Sequence, residues 1–238
     1  THHPHPGFGL YATAAMRAST TVVRLPPSVW QPVSAEAAVR GREDCLAGAG
    51  LPAPQAVKML PTVALATQMV DSLQRGDDAG LTGAYAASVP KRLDVPLLWD
   101  DAKLGHLAGT DVAPMVATRR AFVGKLHGAV FPDRRIPLPQ FAWAWSLILS
   151  RAVSGPDVPY TFVPIIDLVN HRTRGPAPAP GDASILHDDD DAMSLVLDAD
   201  VALGDQIHIS YSGELPAASF LMKYGFVPDG TAYAPVQL

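Results

Sequence analysis

Glycine and proline punctuate this chain unusually often. They number 19 and 23 of its 238 residues, about 18% against an ordinary share near 12%. Proline fixes one backbone angle and removes a donor, and glycine weakens helix and strand interiors. The excess therefore predicts many turns. The chain reads as many short elements joined by turns.

The rest of the composition sets the class. Hydrophobic residues make up 48% and charged residues 17%, so a sizeable core is possible and wholesale disorder is not. The formal net charge of −5 lacks the basic balance that phosphate binding favours, which argues against a nucleic-acid partner. Cys45 is the single cysteine. That excludes an intramolecular disulfide and a cysteine-rich zinc site, and no metal is expected. No apolar run reaches membrane-spanning length. The opening Thr1-His2-His3-Pro4-His5-Pro6 lacks the apolar stretch of a signal peptide, and its prolines prevent a helical ligand face.

Three regions differ in texture. Up to Asp44 the chain reads as short strands and turns, with Thr20 to Leu25 a β-branched run closed by Pro26-Pro27. From Cys45 to Gly155 it reads as helical. Thr62 to Gln74 places Val63, Ala66, Met69, Val70 and Leu73 on one face, with Gly76 as its cap. Further helices are predicted over Pro114–Gly128, carrying Met115, Phe122 and Leu126, and over Pro139–Val153, carrying Phe141, Trp145, Ile148 and Leu149. From Tyr160 to Leu238 strands return, notably Met193–Leu197 and Gln206–Tyr211. Arg172 to Asp182 is a proline-rich loop expected to be mobile, and Asp188 to Asp191 reads as a solvated hairpin tip. Strands at both ends around a helical block give an α+β class.

Several chemistries are excluded by motif. Gly7-Phe8-Gly9-Leu10-Tyr11-Ala12 matches the relaxed pattern G-x-G-x-x-A, but no strand precedes it and the first acid downstream is Glu36, so a dinucleotide site is rejected. The glycines still mark a sharp turn or a close approach. Gly-x-Ser-x-Gly, the phosphate-cradling Gly-Lys-Ser/Thr loop and His-Glu-x-x-His are absent. What remains is Asp167, Asn170 and His171 directly after an apolar run, Tyr211 at a strand end, and Tyr224-Gly225-Phe226 thirteen residues on.

In order, Gly-x-Gly-Leu, Ser150-Arg151-Ala152 closing a Trp-bearing helix, Asp-x-x-Asn-His, and Tyr-Ser before Tyr-Gly-Phe resemble the SET-domain methyltransferases. The chain is most similar to the branch with a helical insertion typified by RuBisCO large-subunit lysine methyltransferase. Pro96-Leu97-Leu98-Trp99 and Leu104 to Thr110 look like that branch's insertion. The resemblance implies one SET domain over 1–238, a helical insertion at 45–155, and a C-terminal half at 156–238 that carries the cofactor and catalytic motifs. It also implies a C-terminal segment threaded under a preceding loop, a rare exception to unknotted connections. The branch's following helical substrate-binding domain has no counterpart before Leu238.

The same resemblance implies S-adenosylmethionine as cofactor, with S-adenosylhomocysteine as product. Pro6, Gly7, Phe8 and Gly9 would hold its methionine end, Asn170 and His171 its adenine and backbone, Arg151 would lie at the cofactor, and Phe226 would pack on the adenine. Tyr211 would stand at the methyl-transfer centre, with Asp167 and Tyr224 on the substrate side. The implied partner is a protein substrate bearing a lysine, and the implied compartment is intracellular, cytoplasmic or organellar. Lysine is implied over histidine because Val153 stands where the histidine-methylating relative carries an asparagine. Three features depart from the pattern. Ser212-Gly213 follows Tyr211, Pro216-Ala217-Ala218-Ser219 replaces the usual Ser-Asn-Ala-Glu, and no tyrosine lies between His171 and Tyr211. They keep a second reading open, a SET module that serves as a protein-binding or structural subunit of a larger assembly.

Overall fold

The computed structural model describes residues 9–133, 135–154, 160–211 and 215–228. Pro6, Gly7 and Phe8 lie outside the described residues, as do Ser212 and Gly213. The chain divides into two compact units, one formed by the described residues up to Trp30 and within Val163–Leu215, the other by Gln31–Phe162 and Pro216–Val227.

The first unit is the β-rich one. Its elements are β1 (Leu10–Tyr11), β2 (Thr21–Leu25), a helical turn α1 (Pro27–Trp30), β3 (Asn170–His171), β4 (Ala183–His187), β5 (Met193–Leu197) and β6 (Gln206–Ile209). The strands build two three-stranded sheets, ordered β1-β6-β3 and β2-β5-β4. In the first, β1 runs antiparallel to β6 with Tyr11 opposite Gln206, and β3 runs parallel to β6 with Asn170 opposite His208. The second is antiparallel with β5 in the middle, and Met193, Ser194, Leu195 and Leu197 of β5 are buried.

Asp188–Asp191 is the solvated tip between β4 and β5, as the sequence predicts. Four like charges in sequence repel, and Arg24 on β2 relieves this, with Nε donating to Asp188 at 3.0 Å and Nη2 to Asp190 at 3.0 Å. The proline-rich segment, in contrast, is braced. Arg172 Nε donates to Asp182 at 2.8 Å and its Nη2 to the Pro180 carbonyl at 2.7 Å, while Asp182 also accepts from the Ala179 amide at 2.7 Å. Arg174 reaches Ala183 O at 2.7 Å and Asp198 at 2.6 Å. Two arginines thus supply the donors that the prolines lack.

The second unit is helical, with α2 (Ala35–Val39), α3 (Ala53–Arg75), α4 (Gly80–Ser88), α5 (Asp101–Gly105), α6 (Val112–Val130), α7 (Leu138–Arg151) and α8 (Ala217–Tyr224). The sequence reading of the helical insertion, 45–155, lies within a larger compact unit. Helix α3 starts nine residues before the predicted Thr62 and runs through Pro61. Its second half is buried on nearly every side, including Thr62, Thr67, Gln68 and Ser72, so a single apolar stripe understates it. Gly76 caps it as expected, its N–H bonding Ser72 O. Met115, placed on the apolar face of α6 from the sequence, is 40% exposed, and Val116 and Val123 take that role. The core closes around Phe131, Phe141 and His127, whose rings lie 5.6–5.7 Å apart, an edge-and-tilt arrangement that aromatic quadrupoles favour.

Helix α8 corrects the reading of the C-terminal third as strands alone. Pro216 precedes it, Phe220 and Met222 are buried, and Gly225 ends it in the left-handed conformation with φ +83. A Cβ at Gly225 would fall 2.8 Å from the Asp94 carbonyl carbon, so both backbone angle and space demand glycine there.

Candidate functional site

The apolar run Phe162–Leu168 reads from sequence as strand-like, yet it bends. Ile165, exposed and with φ +73, occupies a region that a β-branched residue rarely adopts. The bend leads into a short 3-10 helix, Ile166–Leu168, on which half-buried Asp167 sits. The chain then enters β3 with Val169 buried and Asn170 and His171 half-buried. Strain beside candidate chemistry persists only where the surroundings over-determine it, and here buried Ile166 and Val169 pin the far side.

Tyr211 is joined to this segment at both ends. Its main-chain N–H donates to His171 Nδ1 at 3.1 Å, and its hydroxyl donates to the Val169 carbonyl at 2.8 Å. The two rings stand 5.3 Å apart. His171 therefore accepts at Nδ1, which puts its proton on Nε2 in the neutral ring. Burial, helped by the charge of nearby His208, lowers the His171 pKa to about 4. Neutral imidazole is the state that this hydrogen bond needs.

Gly9, immediately before β1, completes the group. A Cβ there would fall 2.9 Å from Asn170 Nδ2 and collide with Gln206 Nε2. Gly9 is not in the left-handed region, so packing, not backbone angle, demands glycine. Gln206 Nε2 is buried and has no hydrogen-bond partner among the described residues. A dry unpaired donor costs about 1–3 kcal/mol. This donor fills the space that a side chain at position 9 would need, next to the Asn170 amide.

The structure thus brings Gly9, Asn170, His171 and Tyr211 together. In the helical unit it brings Tyr224 and Phe226 together, 6.1 Å apart and each within 6.1 Å of Phe220. Arg151 is the last residue of α7. Sequence reasoning missed Gln206 and His208. Their signal was the two-residue alternation along β6, which puts both on one face. Among the described residues no group of three metal-ligating side chains occurs. A cleft of about 370 Å³ lined by Val70, Leu73, Lys91 and Trp143 contains none of the candidate residues.

The architecture matches solved structures over 93% of this chain. One is the SET domain of LSMT bound to lysine and AdoHcy, at TM-score 0.73 and 20% identity. Another is Rubisco LSMT bound to AdoMet, at 0.71 and 21%. The chain has the SET-domain fold. The expected α+β class and SET fold therefore hold, and the chain covers about 50% of each of those structures.

Curated relatives match the chain as well. SET domain-containing protein 8 of Schizosaccharomyces pombe is 28% identical over 152 residues, covering 61% of this chain and 34% of that protein. The chloroplastic [fructose-bisphosphate aldolase]-lysine N-methyltransferase of Arabidopsis thaliana is 24% identical over 240 residues, covering 93% and 46%. The chloroplastic ribulose-1,5 bisphosphate carboxylase/oxygenase large subunit N-methyltransferase of Nicotiana tabacum is 25% identical, covering 95% and 46%. The chain spans less than half the length of these relatives. No family model matches it.

Proposed function

We propose that this SET domain, 1–238 with its helical insertion, is an S-adenosylmethionine-dependent protein-lysine N-methyltransferase acting on a non-histone protein. The observation that carries the reading is the close packing of Gly9, Asn170 and Gln206, with Tyr211 tied to Val169 and His171 on either side of Asn170. Two relatives are named as lysine or large-subunit N-methyltransferases, and similar structures hold AdoMet, AdoHcy and lysine, which supports the cofactor and the acceptor. The same two relatives are chloroplastic, which supports an intracellular compartment, and among the described residues no helix is long and apolar enough to cross a membrane.

When bound, the cofactor supplies an electrophilic methyl group on a sulfonium. The chain's own residues then have three tasks. Asn170 and the turn ending at Gly9 orient the cofactor. His171, neutral at physiological pH, holds the Tyr211 main chain. Tyr211 presents its phenol oxygen, with its proton already committed to Val169 O, so the oxygen's lone pairs are left to receive an amine N–H or a polarised methyl C–H. Removing the proton of an ordinary lysine at pH 7 costs about 4.6 kcal/mol. A dry channel and a nearby positive charge reduce that cost, so no strong base is required. Alignment of amine and methyl group supplies a further several kcal/mol. We assign Arg151 and Phe226 to the cofactor and Asp167 and Tyr224 to the substrate side on the resemblance.

The departures after Tyr211 favour a second reading, an inert SET module in a larger assembly. Tritiated S-adenosylmethionine, incubated with this chain and a cell extract, separates the two. Labelled protein that yields methyl-lysine on acid hydrolysis supports the enzyme. Bound cofactor without any labelled protein favours the module.

A further inference from the structure

Gly9 stands where two carboxamides meet. Asn170 Nδ2 lies 2.9 Å from the place a Cβ would take, and Gln206 Nε2 overlaps it. The strand register explains why. Tyr11 pairs with Gln206 across β1 and β6, and Asn170 pairs with His208 across β3 and β6; Gln206 and His208, two residues apart, share one face of the central strand. The main chain of Gln206 is confined as well. A Cβ at Gly181, where φ is +80, would fall 2.6 Å from the Gln206 carbonyl oxygen. Gln206 therefore lies between two glycines, with its carboxamide nitrogen buried and without a hydrogen-bond partner among the described residues.

We propose that Gln206 is the positioning residue of the cofactor cradle. Its carboxamide, packed under Gly9, sets how closely Gly9 approaches Asn170 and is what forbids a side chain at position 9. Gln206 acts through Gly9 and Asn170, and the inference rests on the cofactor reading given above. Both atoms that a methyl group would strike end flexible side chains, so Gly9→Ala keeps the fold and displaces the two amides.

The test is a double-mutant cycle read by S-adenosylhomocysteine titration and by the side-chain amide resonances of Asn170. Gly9→Ala weakens binding about fivefold or more, a coupling ordinary for residues in contact, and shifts the Asn170 amide. Adding Gln206→Ala clears the space, restores affinity to within about twofold of Gln206→Ala alone, and returns the Asn170 resonances. Gln206→Ser replaces Gln206→Ala if the latter unfolds. A double variant as weak as Gly9→Ala, with Asn170 still displaced, overturns the proposal, as does a Gly9→Ala variant with unchanged affinity and resonances. If the wild type binds no S-adenosylhomocysteine, the cofactor reading fails, while the Asn170 resonances still decide the steric coupling.

Discussion

Tyr211 holds His171 in one protonation state: its main-chain N–H donates to His171 Nδ1 at 3.1 Å while its hydroxyl reaches Val169 O at 2.8 Å. A strand end and the start of β3 are thereby tied at two points, one through the backbone and one through a side chain. Removing either tie has a different consequence.

Tyr211→Phe removes the hydroxyl tie alone. A net hydrogen bond is worth about 1 kcal/mol, so the thermal midpoint falls by only a few degrees. Cofactor affinity stays within about threefold, and methyl transfer falls about 100-fold or more, because the phenol oxygen is lost from the transfer centre. Calorimetry with S-adenosylhomocysteine and a methylation assay on one preparation check the split. Equal losses in both refute the assignment.

Acid breaks the backbone tie. The pKa of His171 is lowered from 6.5 to about 4, so between these values the unfolded chain binds the extra proton and the folded chain does not. Stability from this group is full above pH 6.5 and is lost as pH falls towards 4. The ring is partly solvated, so the contribution is about 1–2 kcal/mol after screening. Urea unfolding at pH 7 and pH 4 shows it as a larger loss in the wild type than in His171→Gln.

Arg172 braces the loop that follows β3. Asp182 keeps only 5% of its side chain exposed against the Arg172 guanidinium. Arg172→Met leaves that carboxylate with its Ala179 amide alone, at a cost of about 2–3 kcal/mol given the partial exposure of the arginine. Hydrogen exchange then quickens across 172–182. Unchanged exchange contradicts the bracing role.

Gly225→Ala tests the end of α8. The added carbon meets the Asp94 backbone and the angle is left-handed, so the expected loss is about 2–4 kcal/mol. Gly124→Ala, with open space and ordinary φ in α6, is the control and stabilises or is neutral.

Local signals carried much of this. The β-branched run before Pro26, the cap at Gly76 and the alternation of β5 were legible because each depends on neighbours in sequence. Asn170, His171 and Tyr211 were recognised by motif, yet nothing local shows that Tyr211 reaches back across 42 residues to Val169. Tertiary burial hid the rest. The apolar face of α3 is blurred because its second half is enclosed, and β4 was missed because Leu186 is exposed and the strand is held mainly by pairing with β5. The brace on the proline-rich loop was invisible because its arginines bond to residues outside their own short-range pattern. Gln206 escaped because glutamine in a strand carries no chemistry of its own until Gly9 is laid over it.

The most direct measurement is isothermal titration of S-adenosylhomocysteine into the 238-residue chain and into its Asn170→Ala variant. The account predicts one site in the wild type, with affinity falling about 30-fold or more in the variant, as for loss of a buried polar contact. No binding to the wild type, or equal binding to both proteins, contradicts it.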